Sequence, residues 1–297
     1  MLAILGPTAS GKTGMAIEIA SRLGAEIISV DSMQVYRGMD IGTAKPTVIE
    51  RRGVAHHMID VVDPSQEFSV ADFRRVGKPL LDTDKPVIIT GGSGLHFRAL
   101  VDPMSFAPTD PELRAELEDT SLQALVSELE GVDPGAGRHV DLANERRIIR
   151  AVEIYRLTGE TPSSRAASAE ARDLDKYVAE IPFSAVGVDP GVEVDERIDR
   201  RLAAMRSGGL VDEVRNLRER LGRTARYAVG YKEIIEYLDG RMSLDDAFDA
   251  VGRNTRRLAR KQRTWFQRDP RIRWIPWNED EGERVDRALE TLTVQSS

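Results

Sequence analysis

Residues 6–13 read Gly6-Pro7-Thr8-Ala9-Ser10-Gly11-Lys12-Thr13 and fill every fixed position of the pattern G-x-x-x-x-G-K-[ST]. No other stretch constrains the fold as tightly. The glycines let the backbone curl until successive N–H groups point at one anion. The cradle works only where it leaves a strand and opens a helix, whose positive N-terminal end adds to the attraction. The flanks supply both. Residues 2–5 form a short apolar run, and Met15, Ile17, Ile19, Ala20 and Leu23 recur at helical spacing.

Further short apolar runs lie at 26–30, 86–90 and 183–188. Short buried strands separated by helices predict an α/β fold: a P-loop core with a mostly parallel sheet flanked by helices. The middle of the chain differs. Asp110-Pro111 places an N-cap acid before a proline at the first helical position. Leu122, Leu125, Val126 and Leu129 make one apolar stripe, and Ile148, Ile149, Val152 and Tyr155 another. The expectation is an inserted all-helical subdomain at 105–180 within a catalytic core of 1–104 and 181–297. Helices at 193–206, 210–221, 231–238 and 243–267 follow the last run. The polar stretch 161–172 reads as mobile.

Composition narrows the chemistry. The 297 residues include no cysteine, which excludes disulfides, thiolate-bound zinc, iron–sulfur clusters and thiol catalysis. No apolar run reaches the length of a membrane span, so no membrane partner is expected. The start carries no charged leader, and a cytoplasmic location is expected. A net charge of −7 argues against indiscriminate nucleic-acid binding. It leaves room for a local basic surface, because salt screens charge over about 8–10 Å.

Within the cradle, Lys12 supplies a mobile cation and Thr13 a hydroxyl for Mg²⁺. A P-loop ATPase normally adds an apolar strand ending in Asp. Here the run at 86–90 passes into Gly91-Gly92-Ser93-Gly94 with no acid, and the segment 58–63, with Asp60 and Asp63, is a weak substitute. ATP hydrolysis is therefore not expected, and the cradle suits a diphosphate that departs as a leaving group. Asp31 ends the second apolar run. There it can look into the crevice at the carboxyl ends of the strands, or it can start a turn and cap a helix. Arg197 and Arg201 share a helix face at i, i+4, which from the residues alone reads as a solvated basic face. Arg253, Arg256, Arg257 and Arg260 form a stripe that would suit an RNA backbone or plain solvent. His56 and His57, adjacent on a strand, point to opposite faces and read as structural. The readings in competition are prenyl transfer to RNA, a small-molecule P-loop kinase, prenyl transfer to a free nucleotide, and an RNA binder without catalysis.

Five segments carry a family likeness: 6–13 (GPTASGKT), 30–46 (VDSMQVYRGMDIGTAKP), 91–95 (GGSGL), 230–234 (GYKEI) and 258–266 (LARKQRTWF). In this order the chain resembles tRNA dimethylallyltransferase, also called tRNA isopentenyltransferase, over residues 2–268. The resemblance implies transfer of a dimethylallyl group from dimethylallyl diphosphate to N6 of adenosine 37, in tRNAs reading codons that start with U. It implies Mg²⁺ as cofactor and the tRNA anticodon stem-loop as partner, with no zinc; a monomer is expected. By position, Gly6, Thr8, Ala9, Ser10, Gly11, Lys12 and Thr13 resemble the diphosphate-binding loop, and Arg201 the arginine that clamps the diphosphate. Asp31 resembles the general base, and Lys12, Thr13 and Arg201 complete the catalytic set. Asp31, Ser32, Met33 and Gln34 resemble the loop that grips the adenine. Ser93, Arg114, Arg146, Arg147, Arg150, Gly230 and Lys232 occupy positions that resemble tRNA contacts. The chain departs from the family pattern at Ser93 (usually threonine), His96 (usually tyrosine) and Glu145 (often aspartate).

Overall fold

The computed structural model describes residues 1–294. Contacts divide it into two compact units, Met1–Val101 with the chain from Ile181 onward, and Asp102–Glu180.

In the first unit the strands are β1 (Leu2–Leu5), β2 (Glu26–Val30), β3 (His56–His57), β4 (Val87–Gly91), β5 (Ser184–Val188) and β6 (Ile272–Ile275). They form one sheet in the order β3-β2-β4-β1-β5-β6, with every pairing parallel. Parallel strands are covered on both faces, which is why β1, β2, β4 and β5 are continuous apolar runs rather than alternating ones. Helix α1 (Lys12–Leu23) packs one face through Met15, Ile19 and Ala20, joined by Ile4, Ile27, Ile88 and Val186 of the sheet. The other face holds the larger core, with Phe73 from α2 (Val70–Gly77) and Phe97 from α3 (Gly94–Val101) against Leu5, Ile28 and Ile89.

The second unit contains α4 (Pro111–Asp119), α5 (Leu122–Val132), α6 (Glu145–Thr158), α7 (Pro162–Ala166) and α8 (Ala169–Asp175). Leu117, Leu125, Leu129, Ile148 and Val152 form its own core. The stretch 161–172, expected to be mobile, is largely helical. Thr161 and Ser168 cap α7 and α8 with their hydroxyls, which accept N–H groups that a short helix leaves unpaired.

The chain then adds α9 (Val194–Ser207), α10 (Leu210–Leu217), α11 (Arg223–Arg226), α12 (Tyr231–Leu238), α13 (Leu244–Gln267) and α14 (Glu281–Val294). Several elements were not placed from the sequence, among them α2, α3, α11, β6 and α14. Strand β6 extends the sheet beyond β5, and α14 covers the face packed by α1 through Val285, Ala288 and Leu292. None of the described helices is long and apolar enough to cross a membrane.

Candidate active site

The site follows from strand order. The loop 6–11 leaves the carboxyl end of β1, and Asp31 leaves the carboxyl end of β2. Only β4 lies between those strands, so the two features face one crevice about 10 Å across at the sheet edge. Thr8, Lys12, Thr13, Asp31, Met33, Gln34, Arg201 and Gly230 all line a single cavity there.

The phosphate loop is braced from several sides. Gly11, at φ 78°, begins α1, and a Cβ there would lie 3.1 Å from the Trp277 ring. Ala9 also has positive φ, 60°, a strained state for a residue with a side chain. The Ala9 carbonyl is held by Arg197, which donates from Nε at 2.8 Å. The Arg197 guanidinium stacks 3.7 Å from the centroid of Trp277, and Arg284 stacks on the same ring at 4.2 Å. Arg201 donates to the Thr8 hydroxyl at 2.7 Å, and Gln262 accepts the Thr8 N–H at 2.8 Å. The i, i+4 arginines of α9 therefore do not form a solvated face; both turn inward onto the loop. Arg256 departs from the α13 stripe as well. It pairs with Asp195 and Asp199 of α9, while Arg253, Arg257 and Arg260 remain exposed.

Electrostatics favour an anion. Lys12 donates to the Pro7 carbonyl at 3.0 Å. Burial, reinforced by Arg201, pushes its ammonium down to about 8, against the pull of Asp31. Burial also lowers Arg201, with Asp31 opposing the shift. Two half-buried cations facing one carboxylate in the cavity are poised to gain by binding a phosphate group. Thr13 offers a hydroxyl, and no cluster of three His, Asp or Glu side chains that could hold a metal exists among the described residues. This donor set fits a Mg²⁺ that arrives with diphosphate oxygens and waters, since Mg²⁺ in phosphate sites rarely has an all-protein cage.

Asp31 both faces the cavity and starts a turn, but no helix follows for it to cap. Its Oδ1 accepts the N–H groups of Met33 and Gln34 at 2.8 and 3.2 Å, while the residue lines the cavity. Gln34 is fixed in turn: Nε2 donates to the carbonyl of Thr43 at 3.2 Å, and Oε1 accepts the Ser29 hydroxyl at 3.0 Å. Ser32 follows Asp31 in the same turn. Ser93 hydrogen-bonds His96 Nδ1 at 2.7 Å. His96 is buried edge-on to Phe73 and is pushed down to about 4, mainly by burial, so its ring is neutral. The two acids of the weak substitute at 58–63 are both paired, Asp60 with Lys45 and Asp63 with Arg220, each at 2.6 Å. His56 and His57 take separate partners, the Val54 carbonyl and Glu26.

A family model described as IPP transferase matches residues 34–269. The chain belongs to the IPP transferase family. Curated relatives named tRNA dimethylallyltransferase include that of Bifidobacterium animalis subsp. lactis, 45% identical over 93% of this chain and 82% of its own length. That of Thermobifida fusca is 41% identical over 100% of this chain and 95% of its own. Among solved structures, the tRNA isopentenylpyrophosphate transferase of Bacillus halodurans is 37% identical with a TM-score of 0.69, covering 99% of this chain and 97% of that one. A eukaryotic dimethylallyltransferase shares the fold at a TM-score of 0.79 and 24% identity, covering 96% of this chain and 77% of that one.

Of the remaining residues that the IPP transferase likeness singles out, Lys232 is exposed beside the Tyr227 ring, at 5.7 Å. Four lie in the second unit. Arg114 and Arg150 both pair with Glu153, a fully buried carboxylate, and Arg150 also donates to the carbonyls of Ala107 and Pro108. Arg146 and Arg147 are exposed along a groove shared with Arg138 and Arg165. Trp277, which from sequence could stack on a base or simply pack, packs against the arginines beside the loop, and two further bracing residues carried no role in the sequence. Gln262 lies inside the segment 258–266, whose likeness gives it no role, and Arg284 follows the last apolar run, where no periodic pattern marks it.

Proposed function

We propose that this chain transfers the dimethylallyl group of dimethylallyl diphosphate to N6 of adenosine 37 in tRNAs reading codons that start with U, releasing diphosphate. The observation that carries the reading is the shared cavity: the phosphate loop and the Asp31 carboxylate face each other across one crevice. In the reaction, adenine N6 forms a bond to C1 of the donor as the C1–O bond breaks. The electron pair leaves on the diphosphate, and the N6 proton passes to Asp31. Oδ1 is committed to two backbone N–H groups, so Oδ2 takes the proton. Lys12, Arg201 and the loop amides stabilise charge growing on the leaving group. Mg²⁺ held at Thr13 would supply further neutralisation of that charge. The target base must leave its stack to reach Asp31.

Supporting contacts come from Ser32, Met33 and Gln34 at the adenine, and from Ser93, Gly230 and Lys232 nearby. In the helical unit, the tRNA anticodon stem-loop meets Arg146 and Arg147 directly, while Arg114 and Arg150 shape the surface through Glu153. The enzyme acts as a cytoplasmic monomer without zinc. A kinase is disfavoured because β4 ends in Gly91 with no acid for a metal, and Asp60 and Asp63 are taken by Lys45 and Arg220. The test is mass spectrometry of unmodified tRNA incubated with dimethylallyl diphosphate and Mg²⁺. A dimethylallyl adduct mapped to position 37 is expected; phosphorylated product from ATP alone would overturn the reading.

A further inference from the structure

We infer that Glu213 is a positioning residue for the acceptor base, acting through the turn at residues 40–44 and Gln34. Its carboxylate gathers three consecutive backbone donors. Oε2 accepts the N–H groups of Asp40 at 3.0 Å and Ile41 at 2.7 Å, and Oε1 accepts that of Gly42 at 3.0 Å. Successive N–H groups converging on one point form a nest that ordinarily takes an anionic ligand. Here a side chain from the first turn of α10 occupies it. The Tyr231 hydroxyl donates to Oε1 at 2.5 Å, and its ring is fully buried. A Cβ on Gly42 would lie 2.4 Å from that ring, so the turn and the tyrosine are in closest contact.

The clamped turn has a defined consequence. The Thr43 hydroxyl closes it on the Met39 carbonyl at 2.6 Å. Its outward carbonyls, Thr43 and Ala44, accept the Gln34 amide at 3.2 and 3.5 Å. Gly42, Thr43, Ala44 and Gln34 all line the cavity that holds Asp31. Releasing the turn removes both acceptors of the Gln34 Nε2 and leaves the side chain tethered through Oε1 to the Ser29 hydroxyl, loosening the wall beside the base. The phosphate loop is held independently, by Arg197, Arg201 and Gln262. The Glu213 network therefore governs the acceptor and not the donor. This rests on the reading of Gln34 as an adenine contact.

The experiment compares wild type, Glu213→Gln and Tyr231→Phe in steady-state transfer to a tRNA anticodon stem-loop. In Glu213→Gln an amide NH₂ faces backbone donors, so part of the clamp opens without loss of side-chain volume. For this variant kcat/KM for the RNA falls about tenfold, the scale of one charge-assisted hydrogen bond. The KM for dimethylallyl diphosphate stays within about twofold. Tyr231→Phe removes one donor, leaves the backbone clamp, and shows the same split at about threefold. A merely structural role would lower the folded fraction and leave both KM values of the remaining enzyme unchanged. That result, or equal changes in both, overturns the proposal. If Glu213→Gln does not fold, Tyr231→Phe alone decides. Wild-type enzyme inactive on the RNA would instead sink the proposed function, whereas active wild type with unsplit variants sinks only the role of Glu213.

Discussion

Arg201 donates to the Thr8 hydroxyl at 2.7 Å, joining α9 to the phosphate loop across 193 positions of sequence. This contact places a guanidinium against the loop, in the cavity where the proposed leaving diphosphate would sit. Arg201→Ala should lower kcat/KM for dimethylallyl diphosphate by about 10²-fold, the usual effect of deleting one preorganised donor to developing charge. Arg201→Lys should recover only part of it, because an ammonium cannot span two acceptors as a planar fork does. Equal recovery by lysine would show that only charge matters there.

Asp31 holds its own turn with Oδ1, and asparagine can do the same with its carbonyl oxygen. Asp31→Asn should therefore keep the fold and tRNA affinity while kcat falls about 10²–10⁴-fold, the range for a lost general base. Single-turnover transfer with saturating substrates measures it. Near wild-type turnover would remove Asp31 from the chemistry.

The Lys12 ammonium, held down to about 8 by burial, gives a pH signature. Its folded value lies below its unfolded one, so the free enzyme bears the cost of the buried cation below about pH 8 and is relieved of it as pH rises from there towards the unfolded value. Bound diphosphate favours the charged form, so affinity should weaken as pH climbs through about 8. Calorimetric titration with inorganic diphosphate between pH 7 and 10 reads this out. Lys12→Met should bind more weakly and lose that component of the slope, leaving only titration of the ligand itself. Parallel pH curves for the two proteins would contradict the assignment.

In the helical unit, Glu153 is fully buried and shared by Arg114 and Arg150. Glu153→Ala should destabilise that unit by about 2 kcal/mol, discounted from the usual buried-pair cost because the two arginine side chains stay 31% and 29% exposed. Thermal unfolding followed by circular dichroism would show the shift, and an unchanged melting temperature would mean the pairs contribute nothing.

How much of this was legible beforehand depended on how local the signal was. The strand–loop–helix at 2–23 was readable because cradle, strand and helix are contiguous in sequence. The alternation of short apolar runs and helices likewise announced a parallel sheet. By contrast, β6 is only four residues long, with its first and last buried and Arg273 exposed between them. Such a short segment acquires its identity from β5, against which it pairs. The arginines of α9 looked like a solvated face because spacing reports which residues share a side of a helix and not what lies opposite. The stretch 161–172 looked mobile because its small polar residues are helix caps only once a helix follows them.

By itself the sequence determined the cradle, the doubly covered sheet and the all-helical middle, since each depends on neighbours within one turn or one strand; it put Asp31 at the end of a strand and left open which way it faces. Only the tertiary structure decided that Arg197 and Arg201 turn onto the loop, that Trp277 and Arg284 brace it from outside, and that Glu213 clamps the wall beside Gln34. Those contacts join segments up to hundreds of residues apart, and strand order, which no local pattern encodes, is what brings them within hydrogen-bonding distance.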